Sequence, residues 1–344
     1  MKKLYIISVI AVFFCCLTEV VQAQIVQFSQ YYSSPAILGP SFVGINNGTR
    51  VILNYRNQWP GVPSKFVTYA FEFDHYMTKR NSGIGLAVLR DQAGSGNLNV
   101  TQVAAQYAYD RPLFGYGTKK VHFRPGVSFK YSQRGLDFYK LVFNDQLSFN
   151  GIAETSIENI PDLHGYADAT GSMLFYSSTW WAGFTADNLF TPDQSLRNYG
   201  TAASELPMLF SVYGGYVFDL RKRGQYRTSG ESITVTMLYK MQAGYTQMDM
   251  GLYWSKNPFI LGAWYRGLPF LNKPEIGYYT TDAVILLFGF KLYNLSFGYS
   301  YDITVSQLMS QAAGAHEISL RYDFRIQGGN NLRRPRGAVS CPIY

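Results

Sequence analysis

The chain has 344 residues, a formal net charge of +8 and only 15% charged residues, well below the quarter that soluble domains usually carry. Its mean hydropathy is near zero, too polar for a bundle of membrane helices. With 28 Tyr, 24 Phe and 32 Gly, the composition matches a barrel whose outer face meets lipid and whose lumen meets water.

The first residues form a targeting segment, 1–23. Lys2 and Lys3 supply the positive region, Leu4 to Leu17 the apolar core, and Val21-Gln22-Ala23 a small-residue cleavage site. Cleavage between Ala23 and Gln24 is expected. The apolar run is too short for a membrane-spanning helix. Cys15 and Cys16 raise the alternative of a lipoprotein, but Phe14 and Cys15 precede them where a small residue is normal. After cleavage Cys341 is the one cysteine left, which rules out an internal disulfide. It reads as a tail residue, with an intermolecular bridge or a reactive thiol as the other choices.

Residues 24–47, rich in Tyr and Pro, are expected on the periplasmic side, with the lumen or a neighbouring protein as other places for them. A transmembrane antiparallel β-barrel is then expected over 48–326. No long stretch keeps a 3.6-residue apolar period, whereas many of about ten residues keep a period of two. In the last, His316, Ile318, Leu320, Tyr322, Phe324 and Ile326 alternate with Glu317, Ser319, Arg321, Asp323 and Arg325. Strand side chains point to opposite faces in turn, so the pattern needs an apolar outside and a wet inside. The same reading gives about fourteen strands, near 48–56, 65–75, 82–90, 97–110, 120–134, 163–176, 178–188, 208–221, 230–241, 244–255, 258–266, 282–292, 293–303 and 314–326. The longest connections, 135–162, 189–207, 267–281 and 304–313, all fall at one end if the mature N-terminus is periplasmic. That end is expected to be external, because bacterial barrels keep periplasmic turns short. Two connections resist this rule. The one at Gln242 and Ala243 is short though external, and the one at 221–230 is longer though internal. A basic tail, 327–344, follows and is expected to be periplasmic, with the lumen or a neighbouring protein as other places for it.

Chemistry is sparse. His75, His122, His164 and His316 are scattered without metal-ligand spacing, and no cofactor or metal is expected. No nucleophile elbow occurs, so the chain is not expected to be an enzyme. His164 and Asp168 share one face of a strand, which reads as lumen polarity more readily than as a catalytic pair. The run 91–97, Asp-Gln-Ala-Gly-Ser-Gly-Asn, lacks the third glycine of a nucleotide loop and reads as a hairpin turn. Glu72, Asp74, Asp168, Asp249, Asp302 and Asp323 sit on polar strand faces. They are expected to be lumen carboxylates paired with Arg or Lys, although cation binding or pore selectivity would also use them. Arg221, Lys222 and Arg223 in one connection, and Arg333, Arg334 and Arg336 in the tail, are candidate periplasmic contacts for acidic envelope partners or lipid headgroups. Interfacial anchoring is the plainer alternative for them. Nucleic acid is not an expected partner. Phe138, Tyr139, Leu141, Phe143 and Phe149 in the longest connection form a candidate partner-binding loop, or else pack on themselves to close the pore.

Two dense stretches carry a resemblance. Gln27-Phe28-Ser29-Gln30-Tyr31-Tyr32 is followed by Ser34-Pro35 and by Pro40-Ser41-Phe42-Val43-Gly44. The second stretch is Asn54-Tyr55-Arg56-Asn57-Gln58-Trp59-Pro60, followed by Gly83-Ile84-Gly85 and Asp91-Gln92-Ala93-Gly94. With the ending Ser340-Cys341-Pro342, the chain resembles the PorP/SprF family of type IX secretion membrane proteins. It departs in having Ile25-Val26 where Asp-Pro is common, and Tyr344 where Phe is usual. The match thins from about residue 135. The resemblance implies an outer-membrane barrel that works with other type IX subunits in a Gram-negative bacterium. Such a barrel helps secrete or display surface proteins, gliding adhesins among them, by binding their C-terminal domains. It implies no catalytic residues. The alternative is a diffusion channel or a transporter of small hydrophobic ligands.

Overall fold

The structure, a computed structural model, describes residues 28–31, 33–62, 65–94, 96–116, 120–137, 141, 163–196, 205–220, 231–243, 245–267, 281–305 and 313–324. Its strands are β1 (Thr49–Gln58), β2 (Lys65–Met77), β3 (Ser82–Gly94), β4 (Leu98–Tyr109), β5 (Arg111–Phe114), β6 (Val121–Gly135), β7 (Leu163–Tyr176), β8 (Trp180–Asp187), β9 (Leu209–Asp219), β10 (Glu231–Gln242), β11 (Tyr245–Lys256), β12 (Phe259–Gly267), β13 (Thr281–Leu292), β14 (Leu295–Thr304) and β15 (Ala315–Phe324).

Consecutive strands pair antiparallel, with the exception of β4 and β5. β5 continues β4 beyond Asp110, and both lie against β6. β1 closes on β15, from Thr49 opposite Phe324 to Gln58 opposite Ala315. The result is a closed barrel of 14 strands, with every sheet edge paired. Closure is what lets strands cross a bilayer, since no backbone amide or carbonyl along the sheet is left facing lipid. All the strands expected from the alternation are present; β3 runs four residues further than the periodicity suggested, to Gly94. The connections 136–162, 188–208, 268–280 and 305–314 gather at one end, here the loop end. Tight turns such as 78–81, 257–258 and 293–294 gather at the other, the turn end.

Burial is inverted relative to a soluble protein. Arg50, Asp74, Arg124 and Glu317 are no more than 1% exposed, whereas Phe129 is 66%, Leu286 51% and Tyr322 48% exposed. Apolar side chains form the outer wall and polar ones the interior, which is the arrangement lipid demands. Leu286 lies in the middle of β13, so Leu286→Arg should destabilise the barrel by about 2–4 kcal/mol. Guanidinium unfolding in lipid vesicles measures this; a cost below about 1 kcal/mol would place that row outside the apolar band.

Candidate functional site

The interior is occupied by the chain's own N-terminal segment. Residues 24–47 are expected on the periplasmic side, but the described part, from Phe28 on, lies in the lumen, where inward-facing wall groups hold it. Its backbone has no strand partners; its own turns satisfy many of its amides, as Ser33 to the Gln30 carbonyl and Ile45 to the Phe42 carbonyl, and wall side chains take those of Ser29, Gln30, Ala36, Ser41 and Gly44. Proline begins both of its short turns, a helix α1 (Pro35–Leu38) and a 3-10 turn, Pro40–Phe42. Proline suits a first turn, where its missing N–H would have no partner anyway.

At the loop end the segment is held by four charged side chains. Ser29 Oγ donates to Asp302 Oδ2 at 2.5 Å and accepts from Arg56 Nη1 at 2.6 Å and Arg266 Nη2 at 2.9 Å. A hydroxyl has one donor and two acceptor sites, so this one is saturated. Arg56 reaches Asp302 at 2.8 Å and Glu317 at 3.2 Å, while Arg266 reaches Asp302 at 3.2 Å and Asp249 at 3.4 Å. Glu317 also accepts the backbone N–H groups of Ser29 at 2.7 Å and Gln30 at 3.0 Å. The Gln30 side chain donates to Ser300 Oγ and to the Glu317 carbonyl, and accepts from Ser319. Two guanidinium groups and two carboxylates thus close around one serine, with Asp249 behind Arg266.

The middle of the segment is apolar. Tyr31, Phe42 and Ile45 join a cluster with Trp181, Tyr213 and Trp264. Tyr31 meets Trp264 edge-on at 5.1 Å, a favoured aromatic geometry. Its hydroxyl pairs with Thr236 Oγ1 at 2.5 Å. Phe28 packs with Ala70 and Leu89 of the wall and with Ile37.

Toward the turn end the segment is seated by backbone contacts. Glu72 accepts from the Ala36 amide at 3.1 Å, Asp74 from the Gly44 amide at 3.3 Å, and Asp323 from the Asn46 side chain at 3.0 Å. Arg50 holds Asp74 at 2.7 Å through Nε. Arg124 donates to the Val43 carbonyl, lies 5.7 Å over the Tyr76 ring and approaches Asp110. Asp110 also takes the Tyr176 hydroxyl at 2.9 Å and faces His122 Nδ1 at 3.1 Å. Two glycines make room for this seat. A Cβ on Gly83 would stand 1.9 Å from the Val43 carbonyl oxygen, and one on Gly126 would stand 2.3 Å from the Ser41 amide nitrogen.

The structure brings together the two stretches that carry the family resemblance. Ser29 and Gln30 meet Arg56, and Ser33 and Ser34 meet Asn54. Tyr55 and Gln58 lie on the same strand, and Trp59 turns the chain out of β1, its amide donating to the Gly314 carbonyl at 2.8 Å. Pro60 follows in that turn. Of the lumen carboxylates, Asp74, Asp168, Asp249, Asp302 and Asp323 each pair with Arg or Lys. Glu72 serves the segment's backbone instead. His164 and Asp168 do not meet: His164 Nε2 faces the Asp193 carbonyl, while Asp168 takes Lys130 at 3.0 Å. Arg266 had no motif to mark it, and only its inward position on β12 could have suggested a role. Several expectations lie outside the described residues. These are Ala23, Gln24, Gln27 and Tyr32, the loop residues Phe138, Tyr139, Phe143 and Phe149, and the basic Arg221, Lys222, Arg223, Arg333, Arg334 and Arg336; of the candidate loop only Leu141 is described.

The family model for the type IX secretion system membrane protein PorP/SprF matches residues 20–322. The chain belongs to the PorP/SprF family. That match spans both the lumen segment and the barrel to β15, so the two are one family unit. A comparison with curated proteins finds no match. Among solved structures, the toluene transporter TodX of Pseudomonas putida is 11% identical with a TM-score of 0.46, over 88% of this chain and 95% of that one. The outer membrane protein Omp33 of Acinetobacter baumannii is 8% identical with a TM-score of 0.41, over 81% of this chain and 100% of that one.

Proposed function

We propose that this PorP/SprF barrel sits in the outer membrane, after export through the cleaved segment 1–23, and helps type IX secretion deliver or display surface proteins. It holds their C-terminal domains at its loop end. It works beside other type IX subunits, with the basic 221–223 and 333–336 clusters turned toward acidic periplasmic partners or headgroups. It does this by binding and not by catalysis. The observation that carries the reading is the occupied lumen within a family of secretion proteins. A barrel filled by its own chain offers its ends to partners, and the longest connections lie at the loop end.

The test compares a deletion strain with its parent by protease shaving of intact cells. Loss of a small set of exported proteins from the surface, restored by the intact gene, is the expected result. An unchanged surface with reduced uptake of a solute would favour the channel or hydrophobic-ligand transporter instead. Within the restored strain, removing residues 138–149 should abolish cargo capture while the barrel still migrates as a heat-modifiable band. Capture that survives this deletion would move the partner site to another connection.

A further inference from the structure

On the outer wall, β1, β2, β3 and β15 enclose a groove of about 350 Å³. Leu53, Tyr55, Tyr69, Phe71 and Leu320 line it, and Arg90 stands at its edge. Arg90 points outward: it is exposed, while its neighbour Leu89 is 6% exposed and packs on Phe28 inside. Arg111, on the strand formed by β4 and β5, also points outward, but near the turn end; Arg90 is the outward charge toward the loop end of β3. Nothing acidic faces it. Tyr69 and Thr101 lie opposite on the adjacent strands, Val88 and Gln92 come before and after it on its own face, and Asp91 turns inward to Thr68. The cation therefore has no counter-charge from the described wall.

Its height supplies the rest of the argument. β3 starts at the turn end and rises about 3.3 Å per residue along a strand tilted about 40°, so Arg90 lies about 20 Å up a band about 25 Å tall. Tyr69 and Tyr55 continue its row across β2 and β1, their rings 5.3 Å apart. Tyrosines at this height mark the boundary between acyl chains and headgroups. Below them the groove is apolar. An apolar trough beneath a cation and two phenols at the outer boundary fits an amphiphile with fatty chains and an anionic head.

We propose that this groove binds a phosphorylated glycolipid of the outer leaflet, of the lipid A type. The acyl chains lie along Leu53, Phe71 and Leu320, and a phosphate accepts hydrogen bonds from Arg90. Arginine donates two parallel N–H groups to a phosphate, which fixes the head as well as attracting it. The proposal rests on the outer-membrane placement proposed above, with the loop end external, and not on the secretion role.

The test is native mass spectrometry of the full-length mature barrel, stripped of lipid and titrated separately with bisphosphorylated lipid A, the same lipid without phosphates, and phosphatidylglycerol. Wild type should retain one bisphosphorylated lipid A, and Arg90→Gln should bind it at least about tenfold more weakly. The dephosphorylated lipid should bind wild type no better than the variant. Filling the groove with Leu53→Trp and Leu320→Trp should also weaken binding while leaving Arg90 in place. Equal retention by wild type and Arg90→Gln would overturn the phosphate contact. Undiminished binding to the filled groove would overturn the acyl site. Phosphatidylglycerol binding as tightly as lipid A would overturn the assignment to the outer leaflet. Heat-modifiable migration verifies that each variant is folded.

Discussion

Substituting alanine at both Gly83 and Gly126 is expected to unseat the lumen segment and open the barrel. At each site the new Cβ would meet backbone, the Val43 carbonyl oxygen at 1.9 Å and the Ser41 amide at 2.3 Å. Backbone atoms cannot rotate aside as a side-chain tip can, so the 40–44 turn must lift away. Overpacking of this kind costs about 1–3 kcal/mol per site. Together the two costs compete with the net worth of the hydrogen bonds made by Ser41, Val43, Gly44 and Asn46 and with part of the burial of Phe42 and Ile45. The wall itself should survive, because both glycines keep their ladder partners, Gly83 opposite Tyr76 and Ala108, and Gly126 opposite Ala108 and Ser172. Planar-bilayer recording reads the outcome: a silent wild type and stepwise conductance from the double variant. A variant that folds yet stays silent would show that the segment between Pro40 and Gly44 is not what occludes the lumen.

Arg56→Ala is expected to cost about 3–5 kcal/mol, as breaking a buried ion pair from one side usually does. The loss comes less from the missing attraction than from what is left behind. Glu317 loses its arginine, Asp302 keeps only Arg266, and Ser29 Oγ loses one of its two donors. Adding Asp302→Asn should restore part of the stability, roughly 1 kcal/mol or more, because it removes one of the three carboxylates, Asp249, Asp302 and Glu317, then left with the single arginine Arg266. Guanidinium unfolding of the two variants in vesicles gives both numbers. If the second substitution makes matters worse, the cluster acts through its individual hydrogen bonds and not through charge balance.

The barrel wall was legible in the sequence because lipid and water impose opposite demands on alternate residues. In β15, Ile318, Leu320 and Tyr322 on one face and Glu317, Ser319 and Arg321 on the other leave little freedom of register. The lumen segment carries no such signal. Phe28 to Ser34 keeps neither a helical nor a strand period, since each group answers to a particular wall residue and not to a solvent. Alternation also showed that Asp302 and Glu317 face inward, but not that they converge on Ser29, 273 and 288 residues away along the chain. Gly83 and Gly126 are likewise readable only as glycines until the turn they accommodate is in view. Resemblance to the family marked the two stretches that meet at Arg56, and the fold explains why they go together.

Ser29 lies near the start of the chain, and its carboxylate partners belong to the last two strands to be made, β14 and β15. An incomplete sheet, still open between β1 and β15, offers the segment Arg56 but neither Asp302 nor Glu317. The serine finds its full set of partners only when the first and last strands have zipped together. Occupation of the lumen is therefore a built-in record of assembly: the N-terminal residues are locked down only in a barrel that has finished closing.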